Sequence, residues 1–473
     1  MPLLVRAVPE ILVGPYPVGF DTIAFYVPNT LDWAAGKAGF LEMLGTAPLM
    51  YMISVPAYLL LRVNPVWIFK IMGPVLYGVM ILALFRFLQS GLRWTERRSL
   101  GGAVLTSLYF VTLRVGWDMY RLMLGLTFVL LTLTLLNGRE GRTKQALLPI
   151  LIVLAVASDQ LTGVVVLFLV GARVLTGMMK GQRREVVELV KTGTPGVVLF
   201  FAIVYAGLIA PGIGLVQEQA LPSLDSLSTS VGFLGYAYLA LAPLILLGFR
   251  KVGNSDLRSW SISCIGLALT ALLPFFGPIV MSYRWSLLLA IPFCVYAAAG
   301  LSRLHDAPHL TVGLARALNR SVFPIFAILL MASAILYIAL PAQSAFAYYT
   351  AFPALLPTSM VQDTVPMSDM DSLMELMGWA AVNLSPGTAL ITHQAIYGWA
   401  RAYFPLSDKI VNYEYSSPLV GVETAKLQGY SSTLMIWWVN GSGWHGQPTV
   451  PMGFTEQVQK GNLAVYSYND TYY

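Results

Sequence analysis

Long apolar runs separated by short charged clusters dominate the chain up to about residue 341, and beyond Pro341 the pattern turns mixed. Runs close to the ~20 residues needed to cross a ~30 Å hydrocarbon core read as membrane-spanning helices. A barrel of short alternating strands would look different, and only helices or closed barrels satisfy their own backbone in lipid. The charged punctuation places spans near 66–85, 99–117, 119–137, 145–160, 161–179, 194–215, 229–249, 258–278, 284–301 and 322–341. The expected fold is mainly α: a polytopic helical membrane domain of about 10–11 transmembrane helices over 1–341, then a small α/β extracytoplasmic domain over 342–473.

Two stretches near the start fit the pattern less simply. The opening "MPLLVRAVPEILV" is apolar but too short to span and carries Arg6 and Glu10; it reads either as the outer end of a first transmembrane helix or as an interfacial helix. After the first outer loop, 14–43, come two apolar runs, 44–61 and 66–85, although loop sidedness permits only one crossing there. Pro48 and Pro56 interrupt the first, so "GTAPLMYMISVPAYLLL" is expected to be a juxtamembrane or re-entrant helix capping the outer face.

Composition agrees with membrane insertion: 57% of residues are hydrophobic and only 11% charged, against about 25% charged in an average soluble domain. The net charge of +6 would suit a nucleic-acid partner were it not for its distribution. Of 29 Lys and Arg, 18 fall in alternate loops, around Arg86–Arg98, Arg139–Lys144, Arg173–Lys191, Arg250–Arg258 and Arg303–Arg320. That bias marks cytoplasmic loops and excludes nucleic acid as the reason for the charge. The intervening loops and everything after Pro341 then lie outside, with plasma membrane as the expected location. Cys264 and Cys294 sit within predicted spans and read as small packing residues.

Ionisable groups near membrane depth are costly and mark candidate sites. On the outer side they are Asp21, Asp32, Lys37, Glu42, Arg62, Lys70, Arg114, Asp118, Arg121, Asp159 and Arg284. "LRVGWDMYR" packs Arg114, Asp118 and Arg121 into one short turn between spans. Its arginines either pair with the aspartate or offer planar guanidiniums to a phosphate, and Lys70 and Arg284 are similar candidates. Asp21 lies among aromatics, with Tyr16, Tyr26 and Trp33 nearby. A carboxylate beside rings suits a sugar site; the competing reading is a helix N-cap.

Beyond Pro341 a helix at 370–384, a strand at "ALITH", a helix at 394–403 and strands at 433–439 and 463–468 predict a covered sheet. Asp369-x-Asp371 opens a helix and reads as capping rather than metal binding. His393 and His445 lack metal-ligand spacing, and Asn440 and Asn469 begin chance-level glycan acceptor triplets.

"YPVGFDTIAFYVP" after a first apolar segment, the interrupted "APLMYMISVPAYLLL", and Lys70 at the head of the next span together resemble the GT-C superfamily of membrane glycosyltransferases. "WDMYRLMLGLTFVLL" and "YRWSLLLAIPFCVYAAAGL" look like recurring segments of that group, whose members include protein O-mannosyltransferases, the lipid A aminoarabinose transferase and the oligosaccharyltransferase catalytic subunit. The resemblance covers the membrane region to about residue 340. It implies a polyprenyl-phosphate-linked sugar donor bound from the outer leaflet and a protein, glycan or lipid acceptor. Asp21 would be the catalytic base or acceptor-orienting carboxylate and Asp118 a second acid. Lys70, Arg114, Arg121 and Arg284 would hold the lipid phosphate, and Tyr16, Tyr26 and Trp33 the sugar or acceptor. The chain departs from the oligosaccharyltransferase pattern: Trp437 and Trp438 are followed by Val439 where a Trp-Trp-Asp motif would end. The sequence requires no cofactor, while Glu218 and Asp225 keep a divalent metal, Mg or Mn, open. The rival classes are a transporter or flippase of lipid-linked sugars, disfavoured by the lack of an internal repeat, and a noncatalytic membrane anchor.

Overall fold

The structure, a computed structural model, describes residues 1–19, 21–138, 142–209, 224–269, 282–305, 327–332, 334–335, 365–404, 408–414, 416–439 and 450–468. It is mainly helical, with a small sheet near the C-terminus. Among the described residues, six helices are long and apolar enough to cross a membrane: Pro65–Gly91, Tyr120–Asn137, Gln160–Met179, Arg183–Ile209, Val231–Lys251 and Arg284–Arg303.

A seventh span forms if Glu96–Leu108 and Phe110–Asp118, bent by 67°, count as one. The bend falls at Tyr109, whose backbone is extended. A break inside an apolar environment frees carbonyls that need new donors. The Tyr77 hydroxyl donates to the Ser107 carbonyl at 2.7 Å, and the Tyr109 hydroxyl to that of Ala237.

This count is lower than the ten or eleven spans read from hydropathy, for identifiable reasons. The run at 145–160 forms helix Arg142–Ser158, whose apolar part, Ala146–Ser158, is short for a crossing. The run at 258–278 is described as helix Ser255–Ala268. Its remainder, most of 322–341, and the expected domain boundary at 341/342 lie outside the described residues, as do Glu218, Asn440, His445 and Asn469. Hydropathy registers composition, whereas span length depends on where the backbone breaks. The interrupted 44–61 stretch is two short helices, Phe40–Gly45 and Leu49–Leu61, the second ending at Arg62 in a left-handed conformation.

Helix starts follow capping chemistry. Asn64 accepts from the Val66 N–H at 3.0 Å with Pro65 at the first helical position. Asp159 accepts from the Leu161 and Thr162 N–H groups at 2.9 and 3.3 Å and so caps helix Gln160–Met179. The opposite bundle end is tied by a part-buried network. Arg173 donates to both carboxylate oxygens of Asp256 at 2.8 and 2.6 Å, and Asn137 donates to the same carboxylate at 2.9 Å.

The sheet has five strands: β1 (Thr388–His393), β2 (Ile410–Glu414), β3 (Ser432–Trp438), β4 (Phe454–Lys460) and β5 (Leu463–Tyr468), in the order β2-β1-β3-β5-β4. β1 runs parallel to β2 and β3, and β5 antiparallel to β3 and β4. Parallel neighbours need crossovers, supplied by helices Gln394–Tyr403 and Pro418–Leu427. The sequence pattern misses β2 and β4 because both are edge strands. β4, "FTEQVQK", keeps charged and amide groups outward, which blocks edge pairing.

Asp369 corrects the capping assignment. The helix N-cap is Pro366, and the buried Asp369 carboxylate instead accepts from the Trp438 indole N–H at 2.9 Å and the Asn462 amide at 3.0 Å. Asp369→Ala is therefore expected to leave both donors unpaired and destabilise the sheet region by about 2–4 kcal/mol. Thermal unfolding of the full chain in detergent, followed by tryptophan fluorescence, checks this; an unchanged Tm contradicts it.

Candidate functional site

The site is built where the first segment folds onto the ends of helices Pro65–Arg86 and Phe110–Asp118. Helix Pro2–Leu12 buries Arg6 and Glu10, one turn apart on a shared face. Arg6 donates to Glu10 at 2.6 Å and to the carbonyls of Gly116 and Trp117 at 2.6 and 2.5 Å. Those carbonyls end a helix and lack intrahelical partners, so a cation there is doubly favourable. The Lys70 ammonium donates to the Glu10 carboxylate and carbonyl, both at 2.9 Å, and to the Tyr16 carbonyl at 2.5 Å. Its three protons are thereby matched to three acceptors.

From Gly14 the chain runs as a strap pinned along its backbone. The Trp117 indole donates to the Val18 carbonyl at 2.9 Å, and the Asp21 N–H donates to Asp118 at 3.1 Å. Gly19 lies so close to Asp118 that an added Cβ would sit 2.1 Å from the aspartate Cβ. Glycine is required there by contact alone. Directly after Asp21 the chain forms a π-helical turn, Thr22–Tyr26, a geometry frequent at functional sites. The N-cap reading of Asp21 does not hold. Its backbone is already helical and its side chain caps nothing.

The Asp21 carboxylate is buried, 8% exposed. Arg284 forms an ion pair with it at 3.8 Å, and Arg114 pairs with Asp118 one turn earlier on their helix. Burial, reinforced by the charge of Asp118, pushes the Asp21 pKa up to about 6, against the opposing pull of Arg284, Arg114 and Arg121. Three guanidiniums thus act on two neighbouring carboxylates, an excess of positive charge at one buried acid. Arg121 donates to the Thr46 carbonyl and lies 5.8 Å from the Tyr26 ring centre.

The structure brings Asp21, Asp118, Arg114, Arg121 and Arg284 together. Lys70 stands apart from that set, committed to Glu10 and the strap. The aromatic candidates also separate. Tyr26 is a core residue, its ring packed among Tyr51, Phe69 and Tyr120 at 6.2, 5.5 and 5.1 Å. Trp33 is half-buried against Tyr51 at 4.9 Å. Tyr16 faces the sheet domain and donates to Asp371 at 2.6 Å, and burial with this bond raises its pKa to about 12. His393 caps helix Gln394–Tyr403, its Nδ1 accepting from the Ala395 N–H at 3.1 Å. Among the described residues, no three His, Cys, Asp or Glu side chains are grouped to hold a metal ion.

Arg6 and Glu10 escaped the sequence reading as site residues because they sit in a segment too short to be assigned as a span. Their i,i+4 opposite charges in an apolar helix were the available signal. Arg401, which pairs with Asp32, and Gly398, which packs on the Ile23 carbonyl, gave none, since only the tertiary fold brings them to this site. Comparison with known proteins finds no matching family model and no matching curated protein.

Glu10 joins two buried cations, so Glu10→Ala leaves both uncompensated. Removing one partner of a buried pair costs about 3–5 kcal/mol. The variant is expected to unfold at clearly lower temperature than wild type and to be cleaved faster by protease near residues 14–21. Wild-type behaviour in both assays would show that the charge network does not hold the strap.

Proposed function

We propose that the chain is a GT-C-type glycosyltransferase that moves a sugar from a polyprenyl-phosphate donor to an acceptor hydroxyl or amine. The observation that carries this reading is a buried carboxylate, Asp21, held beside Asp118 and a cluster of arginines, with burial raising its pKa. A base poised near neutrality and cations for a developing negative charge are the two requirements of displacement at an anomeric carbon with a phosphate leaving group. In this scheme Asp21 takes the acceptor proton as the acceptor attacks the anomeric carbon. The bond from that carbon to the phosphate oxygen breaks, and its electron pair leaves with the phosphate. Arg284, Arg114 and Arg121 offset that charge, and bidentate guanidinium contacts suit it. Asp118 holds the Asp21 backbone in place and orients Arg114.

Membrane sidedness follows the same reading. Arg173, shortly before the basic turn that follows Met179, meets Asn137 at the end of helix Tyr120–Asn137, whereas Asp118, bound to the Asp21 N–H, precedes the start of that helix. In this reading the positive-inside bias supports an extracytoplasmic Asp21 and sheet domain, with the plasma membrane as the proposed location. Nucleotide sugars are absent there, which is why a lipid-linked donor fits.

Purified protein in liposomes, given labelled polyprenyl-phosphate sugars and membrane acceptors, should transfer label, and Asp21→Asn should reduce transfer about 100-fold or more, the lower end of general-base contributions. Transfer persisting in Asp21→Asn would remove Asp21 from catalysis, and no transfer with any donor would favour a transporter or anchor.

The pH dependence has a defined sign. Below about pH 6 Asp21 is protonated and cannot act as base, so turnover should rise as pH increases through 6 and level off above it. A carboxyl pKa raised from 3.8 to about 6 means that stability falls as pH rises from about 4 to about 6 and stays at the lower level above that. Asp21→Asn is therefore expected to be at least as stable as wild type at pH 8, an advantage that shrinks as pH falls through 6 and is gone below about pH 4. A Tm for Asp21→Asn well below wild type at pH 8 would contradict this environment.

A further inference from the structure

We propose that helix Gln394–Tyr403 of the sheet domain positions Asp21, and that Arg401 is a positioning residue for the transfer step, an inference that rests on the function proposed above.

One turn and a half of this helix engages the chain on both sides of Asp21. Gly398 packs against the π-helical turn so closely that an added Cβ would lie 1.8 Å from the Ile23 carbonyl oxygen. Trp399, 3% exposed, meets the Tyr16 ring edge-on at 6.1 Å. Arg401, buried, pairs with Asp32 in helix Val27–Ala34, which continues from that turn. The Ala402 carbonyl accepts from the Asn64 amide at 3.2 Å. Tyr16, five residues before Asp21, is anchored at its carbonyl by Lys70 and at its hydroxyl by Asp371 of the sheet domain.

A π-helical turn is a rare, single-turn form, and this one is packed at backbone contact against its neighbours. Here the neighbours come from a domain more than 370 residues downstream. The site is therefore composite: the membrane helices carry the arginines, and the sheet domain fixes the carboxylate relative to them. Displacements near 1 Å cost about 100-fold in a reaction that depends on alignment, so the ion pair Arg401–Asp32 acts on turnover without touching substrate. The nearby Lys37–Asp408 pair is exposed and contributes little by comparison.

The test uses the full chain in liposomes with a polyprenyl-phosphate sugar, comparing wild type, Arg401→Glu, Arg401→Lys, the exchanged pair Asp32→Arg with Arg401→Glu, and Gly398→Ala. Arg401→Glu and Gly398→Ala are expected to lower kcat at least tenfold while donor KM stays within about threefold, since the arginine cluster is untouched. The exchanged pair and Arg401→Lys should recover most of the loss. Amide hydrogen exchange over residues 22–31 is measured in parallel: protection should fall in Arg401→Glu and return in the exchanged pair. Wild-type kcat in folded Arg401→Glu and Gly398→Ala, or a loss that the exchange does not rescue, would overturn the proposal. If wild type transfers no sugar, the glycosyltransferase reading fails. The exchange data still decide positioning, because unchanged protection in both variants overturns it.

Discussion

Everything at the candidate site depends on holding an irregular backbone strap in a place where water cannot satisfy it. Residues 14–19 form no regular element, so each buried carbonyl and N–H there needs a named partner. Lys70 supplies one at Tyr16, Trp117 one at Val18, and Asp118 one at the Asp21 N–H. Lys70 can be buried only because Glu10 neutralises it, and Glu10 because Arg6 shares its charge. Arg6 in turn satisfies the open carbonyl end of helix Phe110–Asp118, the helix that carries Arg114 and Asp118. A single chain of charge compensation links the first helix to the strap and to the acids.

That chain explains how a carboxylate can be buried and still useful. Asp21 pays for desolvation with a raised pKa and is kept from full neutralisation by three guanidiniums. The 3.8 Å approach of Arg284 to Asp21 is looser than the pairing of Arg114 with Asp118, and burial raises the Asp21 pKa in spite of it. The two aspartates have different partners, Arg284 beside Asp21 and Arg114 beside Asp118; in the proposed function the first is the reactive and the second the positioning carboxylate.

Much of this was legible in the sequence, and the rest was not for definite reasons. The helix expected at 394–403 is observed with those bounds, between the strand ending at His393 and the C-cap Phe404. Asp21, Asp118 and the three arginines were identified from charge placed near membrane depth, a rule that needs no partner to be known. Lys70 obeyed the same rule, yet its partner Glu10 lies in a helix that hydropathy could not classify, so its role in holding the strap was hidden. Tyr26 was an aromatic near an acid in sequence, but π-helical geometry turns its ring into the core. Edge strands β2 and β4 lacked the apolar run that marks a buried strand. The contacts of Arg401 and Gly398 join residues more than 360 positions apart, and no local pattern records them.

The most direct test of the central claim is a structure of the protein in a lipid nanodisc with a non-cleavable polyprenyl-phosphonate sugar. The account predicts the phosphonate among Arg284, Arg114 and Arg121, with the anomeric carbon facing the Asp21 carboxylate. A phosphonate bound elsewhere, with Asp21 remote from the sugar, would contradict it.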